Sequence, residues 1–304
     1  LIERWIKQFG VAETEKLAAA NNETPTTVFR LTAKSDEQTV EILKNPGLEI
    51  AASEISENAR KVSNLNQMLR LFADEGKIYF QDEGSQLVAQ SIKLKTGESF
   101  LDVCAAPGSK ISQLSVISYQ LAGFEDKIQN PESKIQNLLV GGDFYDHRVR
   151  VLRANCRRQA AENVEILRYD AEKDLPFADE SFDAVLLDAP CSGTGTIRHN
   201  PEIRYFLQEK DFGELAAKQL RILENASKIL KKNGRLIYST CSLEREENEA
   251  VAEKFLEENK DFRRVQPKVP ERFLTAENYA RTFPQKDGTD GFFIAEFEKR
   301  RLFS

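Results

Sequence analysis

Cysteine and histidine are scarce, with four of one and two of the other in 304 residues. Four thiols are too few for a disulfide scaffold, so a reducing cytoplasmic setting is expected. Cys104, Cys156, Cys191 and Cys241 form no CxxC pair, and His147 and His199 do not supply the missing spacing, so no metal site is expected. No apolar run approaches the roughly 18 residues of a membrane span, and no basic stretch followed by an apolar one marks a secretory signal. The sequence starts at Leu1 rather than Met, so a segment upstream of it is expected. A formal charge of -6 argues against a protein that coats nucleic acid indiscriminately. Disorder is excluded too, because 40% of the residues are hydrophobic against 30% charged, enough for a core. The length suits two domains. What is left to explain is why such a chain keeps these thiols.

Residues 1–77 read as a small α+β unit. Leu1, Trp5, Ile6 and Phe9 share one helical face. A strand-like run follows at 27–31, then a helix over 35–44 with Ser35 at its N-cap and Gly47 past its end. Residues 48–52 are strand-like again. Acids outnumber bases here, so the unit is no basic clamp by itself.

Over residues 78–304 the pattern becomes strand, turn, helix. Residues 100–103, 138–140, 164–167, 182–187 and 236–240 read as strands. The fourth is apolar without alternation, as in a parallel strand covered on both faces. The clearest helix spans 211–232, with Asp211 and Glu214 at capping-box spacing and Gly234 past its end. This alternation predicts a doubly wound α/β domain. The tetrapeptide Lys127-Ile128-Gln129-Asn130 recurs at Lys134-Ile135-Gln136-Asn137. Two copies do not make a coiled coil, and with Pro131 between them residues 124–137 read as an inserted surface loop.

In open α/β sheets, ligands bind beyond the carboxyl ends of the strands, and every polar feature below falls at such an end. The segment Asp102-Val103-Cys104-Ala105-Ala106-Pro107-Gly108-Ser109-Lys110 follows a strand and opens a helix. Small residues let a ligand approach the backbone, and a helix N-terminus offers free N–H groups to a carboxylate; a plain tight turn would read the same way. Asp143 ends the next strand, where it can accept from ribose hydroxyls or simply cap a helix. Its distance from Gly108 exceeds the roughly 20 residues of the dinucleotide pattern, and the inserted loop fills much of the excess. Asp170 ends the third strand, as a partner for an adenine amino group or as an ordinary turn residue. Three strand-end carboxylates beside a glycine turn suit a nucleoside cofactor without phosphates, which would call for the absent P-loop pattern.

The fourth strand delivers Asp188-Ala189-Pro190-Cys191-Ser192-Gly193-Thr194-Gly195, and the next ends Ser239-Thr240-Cys241-Ser242. Two thiols thus arrive at neighbouring strand ends above the expected cleft. One alone would read as a small buried hydrophobe. Two beside Asp188 point to nucleophilic chemistry, and the residues leave open which of them attacks. Cys156 and Cys104 read as packing.

These segments resemble the RsmB/Sun-type (NOL/NOP/Sun) RNA 5-methylcytosine methyltransferases. The resemblance is carried by the turn at 104–110, the two cysteine motifs, Tyr79-Phe80-Gln81-Asp82-Glu83-Gly84-Ser85-Gln86, Phe283-Pro284 and Asp287-Gly288-Thr289-Asp290-Gly291-Phe292-Phe293. It spans nearly the whole chain from Leu1-Ile2-Glu3-Arg4-Trp5 onward; Ser109 and Ile111 depart from the family's Gly and Thr. It implies a Rossmann-like catalytic domain at 78–304 and a small RNA-binding domain of the RRM/ferredoxin-like kind at 1–77. Family members often carry a further NusB-like domain ahead of these. The implied cofactor is S-adenosylmethionine (SAM), and the implied partner is RNA, above all bacterial small-subunit (16S) rRNA. By the same resemblance Cys104, Ala105, Ala106, Pro107, Gly108, Ser109, Lys110, Asp143, Asp170 and Asp188 line the SAM site, with Asp188 reaching towards the cytosine. Cys241 would attack C6 of the base, and Cys191 would assist release.

The target base must leave its stack or lie in a single-stranded loop, and RNA contact needs local cations. Arg148, Arg150, Arg153, Arg157 and Arg158 read as a solvated helix face. Arg198 and Arg204, beside the Cys191 motif, are the expected RNA contacts. A DNA cytosine-5 methyltransferase is the main rival, but the second Thr-Cys-Ser is not expected of one. Methylation of tRNA and a non-catalytic RNA-binding or ribosome assembly role are the others; the last does not require both thiols. A monomer without membrane contact is expected.

Overall fold

The computed structural model describes residues 1–56, 58–121 and 137–300. The inserted loop expected at 124–137 lies outside them except for Asn137, whose buried amide donates to the carbonyls of Lys95 (2.6 Å) and Glu98 (3.0 Å). Two short helices come first, α1 (Ile2–Phe9) and α2 (Val11–Ala20). The apolar stripe of α1 turns Trp5 inward and leaves Ile2 and Ile6 exposed.

The small sheet follows as β1 (Thr27–Leu31), α3 (Glu37–Leu43), β2 (Ile50–Ala52), β3 (Ala59–Val62), α4 (Gln67–Asp74) and β4 (Ile78–Phe80). Its strand order is β2-β3-β1-β4 with antiparallel pairing throughout, the ferredoxin-like β-α-β-β-α-β arrangement. Phe29, Val62, Leu69, Phe72 and Ile78 form its core. The last strand lies past the boundary expected after residue 77, because Ile78 pairs with Leu31 and its side chain completes this core. The cap of α3 is Asp36 rather than Ser35: the Asp36 carboxylate accepts from the Thr39 N–H (2.7 Å), while the Ser35 hydroxyl donates to the Lys77 carbonyl (2.5 Å).

The second unit runs α5 (Glu83–Ser91), β5 (Ser99–Asp102), α6 (Ser109–Leu121), β6 (Leu138–Asp143), α7 (Asp146–Arg158), β7 (Val164–Arg168) and β8 (Phe182–Asp188). It continues with α8 (Ile203–Phe206), α9 (Glu209–Lys228), β9 (Leu230–Thr240), α10 (Glu249–Glu258), β10 (Phe262–Val265), β11 (Ala280–Arg281), α11 (Pro284–Asp287) and β12 (Phe293–Lys299). The sheet order is β10-β12-β9-β8-β5-β6-β7, with β9 to β7 parallel and β12 and β10 antiparallel. This is a Rossmann-like α/β domain, and Val185, Leu186 and Leu187 of β8 are fully buried, as a strand covered on both faces requires. Helix α9 starts earlier than the expected 211 because Asp211 is not its cap: its carboxylate accepts the Gln208 backbone N–H (2.8 Å) from inside the first turn. It ends by Lys228, since Leu230 already belongs to β9.

Chain order moves from β5 outward to β7, then returns to β8 on the other side of β5. The β5/β8 boundary is therefore a topological switch, where an open sheet leaves a crevice beyond its strand ends. Two contacts tie the preceding elements to that crevice. Trp5 and Leu17 pack with Ile197 and Leu243, in the loops that follow β8 and β9. The fully buried Arg30 of β1 donates to the Ser109 carbonyl (3.0 Å) and the Ser112 hydroxyl (2.8 Å) at the start of α6. None of the described helices is long and apolar enough to cross a membrane.

Candidate active site

Five parallel strands end side by side, and each contributes a polar group at its carboxyl end. Asp102 closes β5 and is 1% exposed, with its Oδ1 buried and without a hydrogen-bond partner. Burial and then the charge of Asp188 push its carboxyl up to about 8. The turn 104–109 follows. The Ala105 N–H donates to the Gly142 carbonyl (2.8 Å), and Gly108 sits at φ +105°, a conformation that L side chains rarely adopt. Asp143, at the end of β6, accepts from the Phe144 N–H (2.9 Å) and from Arg148 Nε (3.1 Å). Asp170, after β7, accepts from the Glu172 N–H (3.1 Å) and stands 3.5 Å from the Lys173 amine.

Across the switch, Asp188 closes β8. Lys110 Nζ donates to its Oδ2 (2.6 Å) and the Ser239 hydroxyl to its Oδ1 (2.6 Å). Burial pulls the Lys110 amine down, but Asp188 and Asp102 outweigh it and hold its pKa above the ordinary lysine value. Lys110 also stands 5.2 Å over the Phe292 ring. With 27% of its side chain exposed, Asp188 keeps lone pairs free for a further donor.

The two thiols meet. Cys191 Sγ and Cys241 Sγ are 3.3 Å apart, although 50 positions separate them in the chain. The hydrogen bond to Cys241, then burial, raises the Cys191 thiol well above its ordinary value, so at rest it keeps its proton. Cys104 and Cys156 read differently. Burial pushes the Cys104 thiol up strongly and the Cys156 thiol up to about 12, which makes both poor nucleophiles.

The loops carrying the thiols are interlocked by backbone. The Gly195 N–H donates to the Cys241 carbonyl (2.9 Å), and the Gly291 N–H donates to the Gly195 carbonyl (2.9 Å). A Cβ at Gly195 would lie 2.2 Å from the Gly291 oxygen, so only glycine fits this crossing.

The residues expected at the site thus gather along one edge: Cys104 to Lys110, Asp143, Asp170, Asp188, Cys191 and Cys241. The two arginines expected to face RNA are placed otherwise. Arg198 turns inward with 7% of its side chain exposed, bound to the Gly288 carbonyl (3.3 Å) and the Asp290 carboxylate (3.4 Å). That burial removes it from solvent and makes it a tie between the loop after β8 and the loop before β12. Arg204 is exposed, but both of its terminal nitrogens donate at 2.8 Å to the end of α2, to the Asn22 side chain and the Asn21 carbonyl. Asp82, His199 and Asp290 bring donor atoms within 4.8 Å of one another, as a metal site would. Their oxygens are already engaged, those of Asp82 by Gly84, Thr289 and Asp290 N–H, and those of Asp290 by Arg198 and His199. Sequence reasoning missed Glu244 and Glu247, both fully buried behind the thiols. It read past the run Leu243-Glu244-Arg245-Glu246-Glu247-Asn248-Glu249, whose density of charge suggests solvent.

The comparison with known proteins fits this geometry. A family model described as 16S rRNA methyltransferase RsmB/F matches residues 89–298. The chain is 30% identical over 308 aligned residues to the probable ribosomal RNA small subunit methyltransferase B of Bacillus subtilis, covering 99% of this chain and 66% of that protein. It is 33% identical to the ribosomal RNA small subunit methyltransferase F of Aeromonas salmonicida, over 74% of this chain and 46% of that one. The chain therefore spans about half to two thirds of the length of these relatives. In fold it is similar to the crystal structure of NSun6 from Pyrococcus horikoshii with SFG, with a TM-score of 0.83 at 20% identity, over 99% of this chain and 98% of the other.

Proposed function

The chain belongs to the RsmB/F family of 16S rRNA methyltransferases, and from that membership we propose that it methylates C5 of a cytosine in RNA, small-subunit rRNA above all, with SAM as methyl donor. The observation that carries the reading is the pair of thiols in contact at the cofactor crevice. The residues present fit that donor. SAM carries an ammonium and a sulfonium, and the orphaned, buried Asp102 Oδ1 is an acceptor in need of a cation. Asp102 and the turn 104–110 would hold its amino-acid end, Asp143 the ribose and Asp170 the adenine. When bound, SAM supplies an electrophilic methyl group.

The remaining chemistry belongs to this chain. C5 of cytosine is a poor nucleophile until a thiolate adds to C6. The Cys241 sulfur forms that bond, and the electron pair of the C5–C6 double bond becomes available at C5. Asp188, positioned by Lys110 and Ser239, accepts from the amino edge of the base and orients it. After C5 has taken the methyl, a base removes the C5 proton, the double bond re-forms and the C6–sulfur bond breaks. Cys191 suits that last step. Its thiol is held protonated by its bond to Cys241, by burial, and by the charge that the Cys241 sulfur takes on when it ionises to attack. Once Cys241 is bonded to carbon, that charge is gone and Cys191 becomes easier to ionise.

The test uses tritiated SAM and unmodified 16S rRNA, with tRNA and duplex DNA in parallel. Label is expected at C5 of cytosine in rRNA; label on DNA alone, or none despite bound SAM, overturns the reading. Cys191→Ala is expected to accumulate a covalent RNA–protein adduct that resists denaturing electrophoresis, because formation continues while release is blocked.

Donor binding carries its own pH signature. Only the ionised Asp102 accepts from a cation, and its carboxyl lies at about 8. Affinity for SAM is therefore expected to rise by up to ~10-fold per pH unit below that value, and to stop rising near it, where the ammonium of SAM begins to lose its own proton. Asp102→Asn flattens the profile, and titration calorimetry between pH 6 and 9 reads both effects. An unchanged slope in the variant would remove Asp102 from the donor site.

A further inference from the structure

Glu247 sits in a short turn, Arg245–Glu247, between the Cys241 loop and α10, and it is fully buried. Its Oε2 accepts the backbone N–H of Ser192 (2.9 Å) and the side-chain amide of Gln219 (2.9 Å). Its Oε1 accepts the Ser242 hydroxyl (2.7 Å). Ser192 and Ser242 are the residues that follow Cys191 and Cys241, and their hydroxyls stand 3.0 Å apart. One carboxylate thus grips both thiol loops, one residue beyond each sulfur.

The grip is itself fixed. The Gln219 amide that meets Glu247 also donates to the Pro190 carbonyl (3.0 Å), just before Cys191. The Tyr238 hydroxyl, at 0% exposure, donates to the Glu247 carbonyl and to Gln219 Oε1 (3.1 Å). Next to Glu247, the Asn248 side chain accepts from the Thr240 hydroxyl (2.5 Å) and donates to the Ser242 carbonyl (2.8 Å), bracketing Cys241. Burial raises the Glu247 carboxyl, and the bonds from Ser192, Ser242 and Gln219 oppose that rise. A buried carboxylate is costly to keep, and its three donors would be left unpaired without it.

We propose that Glu247 is a positioning residue of the cysteine pair, whose carboxylate sets the separation of the loops after β8 and β9 and so holds the two sulfurs in contact. The proposal rests on the reading of Cys191 and Cys241 as the reacting groups. It goes beyond that reading because Glu247 touches neither thiol nor substrate. Its charge also helps to keep the Cys191 thiol protonated, but its main effect is geometric: without it the loops lose their common anchor, and the sulfur that must act second is no longer beside the one that acts first.

The test separates spacing from turnover. Phenylarsine oxide binds two adjacent thiols on one arsenic with loss of water, and it requires neither RNA nor methyl donor. The wild-type chain is expected to bind one equivalent, and Cys191→Ala to lose that binding. Glu247→Gln is expected to retain it, because the amide oxygen can take the two N–H donors while the amide N–H₂ donates to Ser242, whose own proton turns to Ser192. Glu247→Ala is expected to bind the arsenical at least ~10-fold more weakly, since the second thiol loses its effective concentration. It is also expected to lose ~100-fold in kcat with KM for RNA and SAM nearly unchanged. A folded Glu247→Ala that binds the arsenical like the wild type overturns the proposal. Ser242→Ala removes the hydroxyl that joins Glu247 Oε1 to the Cys241 loop and also meets Ser192 and the Glu244 N–H, while Glu247 keeps its two N–H donors. It gives the same reading, at smaller amplitude, should Glu247→Ala not fold, and wild-type arsenical binding in it counts equally against the proposal. Failure of the methyltransferase reading would show instead as absent methyl transfer in the wild type, with the arsenical series unaffected.

Discussion

Cys241→Ala is expected to lower methyl transfer by at least ~1,000-fold and to eliminate the covalent adduct, because a covalent catalyst without its nucleophile keeps only binding and orientation. The fold should tolerate the change. Cys241 is half-buried, its side chain is small, and the interlock around it runs through its carbonyl, which receives the Gly195 N–H at 2.9 Å whatever the side chain. SAM binding is expected to persist, since the residues assigned to it end other strands. Single-turnover assays with tritiated SAM measure the loss, and denaturing electrophoresis reads the adduct. The double variant Cys191→Ala/Cys241→Ala separates the two roles. If Cys241 attacks, the adduct that Cys191→Ala accumulates disappears in the double variant; an adduct that survives in Cys241→Ala alone would exchange the assignments. Activity within tenfold of wild type in the double variant would end the covalent reading altogether.

The second large effect lies outside the crevice. Trp5→Ala is expected to destabilise the protein by about 3–5 kcal/mol. The indole is 2% exposed, packs on Leu17, Ile197 and Leu243, and donates to Glu244 Oε1 (2.9 Å). Its removal opens a cavity and takes a donor from a fully buried carboxylate, which then depends on Arg4 Nε at 3.1 Å. Trp5→Phe keeps much of the packing and loses the N–H with a smaller part of the ring, so about 1–3 kcal/mol is expected there. Urea melts followed by circular dichroism measure both. Because Leu243 and Glu244 closely follow Cys241, kcat should fall further than stability alone explains at temperatures where the variant is folded. A Trp5→Ala protein that melts within about 1 kcal/mol of wild type would show that α1 does not brace that loop.

The strand ends were readable from sequence because a parallel strand announces itself as an apolar run and its polar stop falls at the sheet edge. Asp102, Asp143, Asp188 and Cys241 all sit where that rule puts them. Helix limits were less readable, since Ser35 and Asp36 are equally good caps on paper, and only the position of Thr39 chooses between them. Least readable were groups whose partners come from distant segments. Glu244 and Glu247 lie in a run of charge that composition assigns to solvent, yet α1 buries one and the Ser192 loop the other. Arg198 failed in the opposite sense: its place beside the Cys191 motif was legible, but not Asp290, which draws it inward. Local pattern carries the sheet, whereas the shell that holds the sulfurs is built from long-range pairs.

That separation has a consequence for how the protein is made. Trp5 and Glu244 are 239 positions apart, and Arg4 meets Glu209 across 205. At typical rates of synthesis, about 5–20 residues per second, α1 emerges roughly 10–50 s before the loop it braces. Eight residues are too few to hold a helix in water, so α1 must wait largely unformed, with its indole exposed to whatever else the cell offers. Closing so long a loop is also among the slower events available to a chain. Assembly of the thiol site is thus a late event in biogenesis, completed when an early-made helix meets a late-made loop.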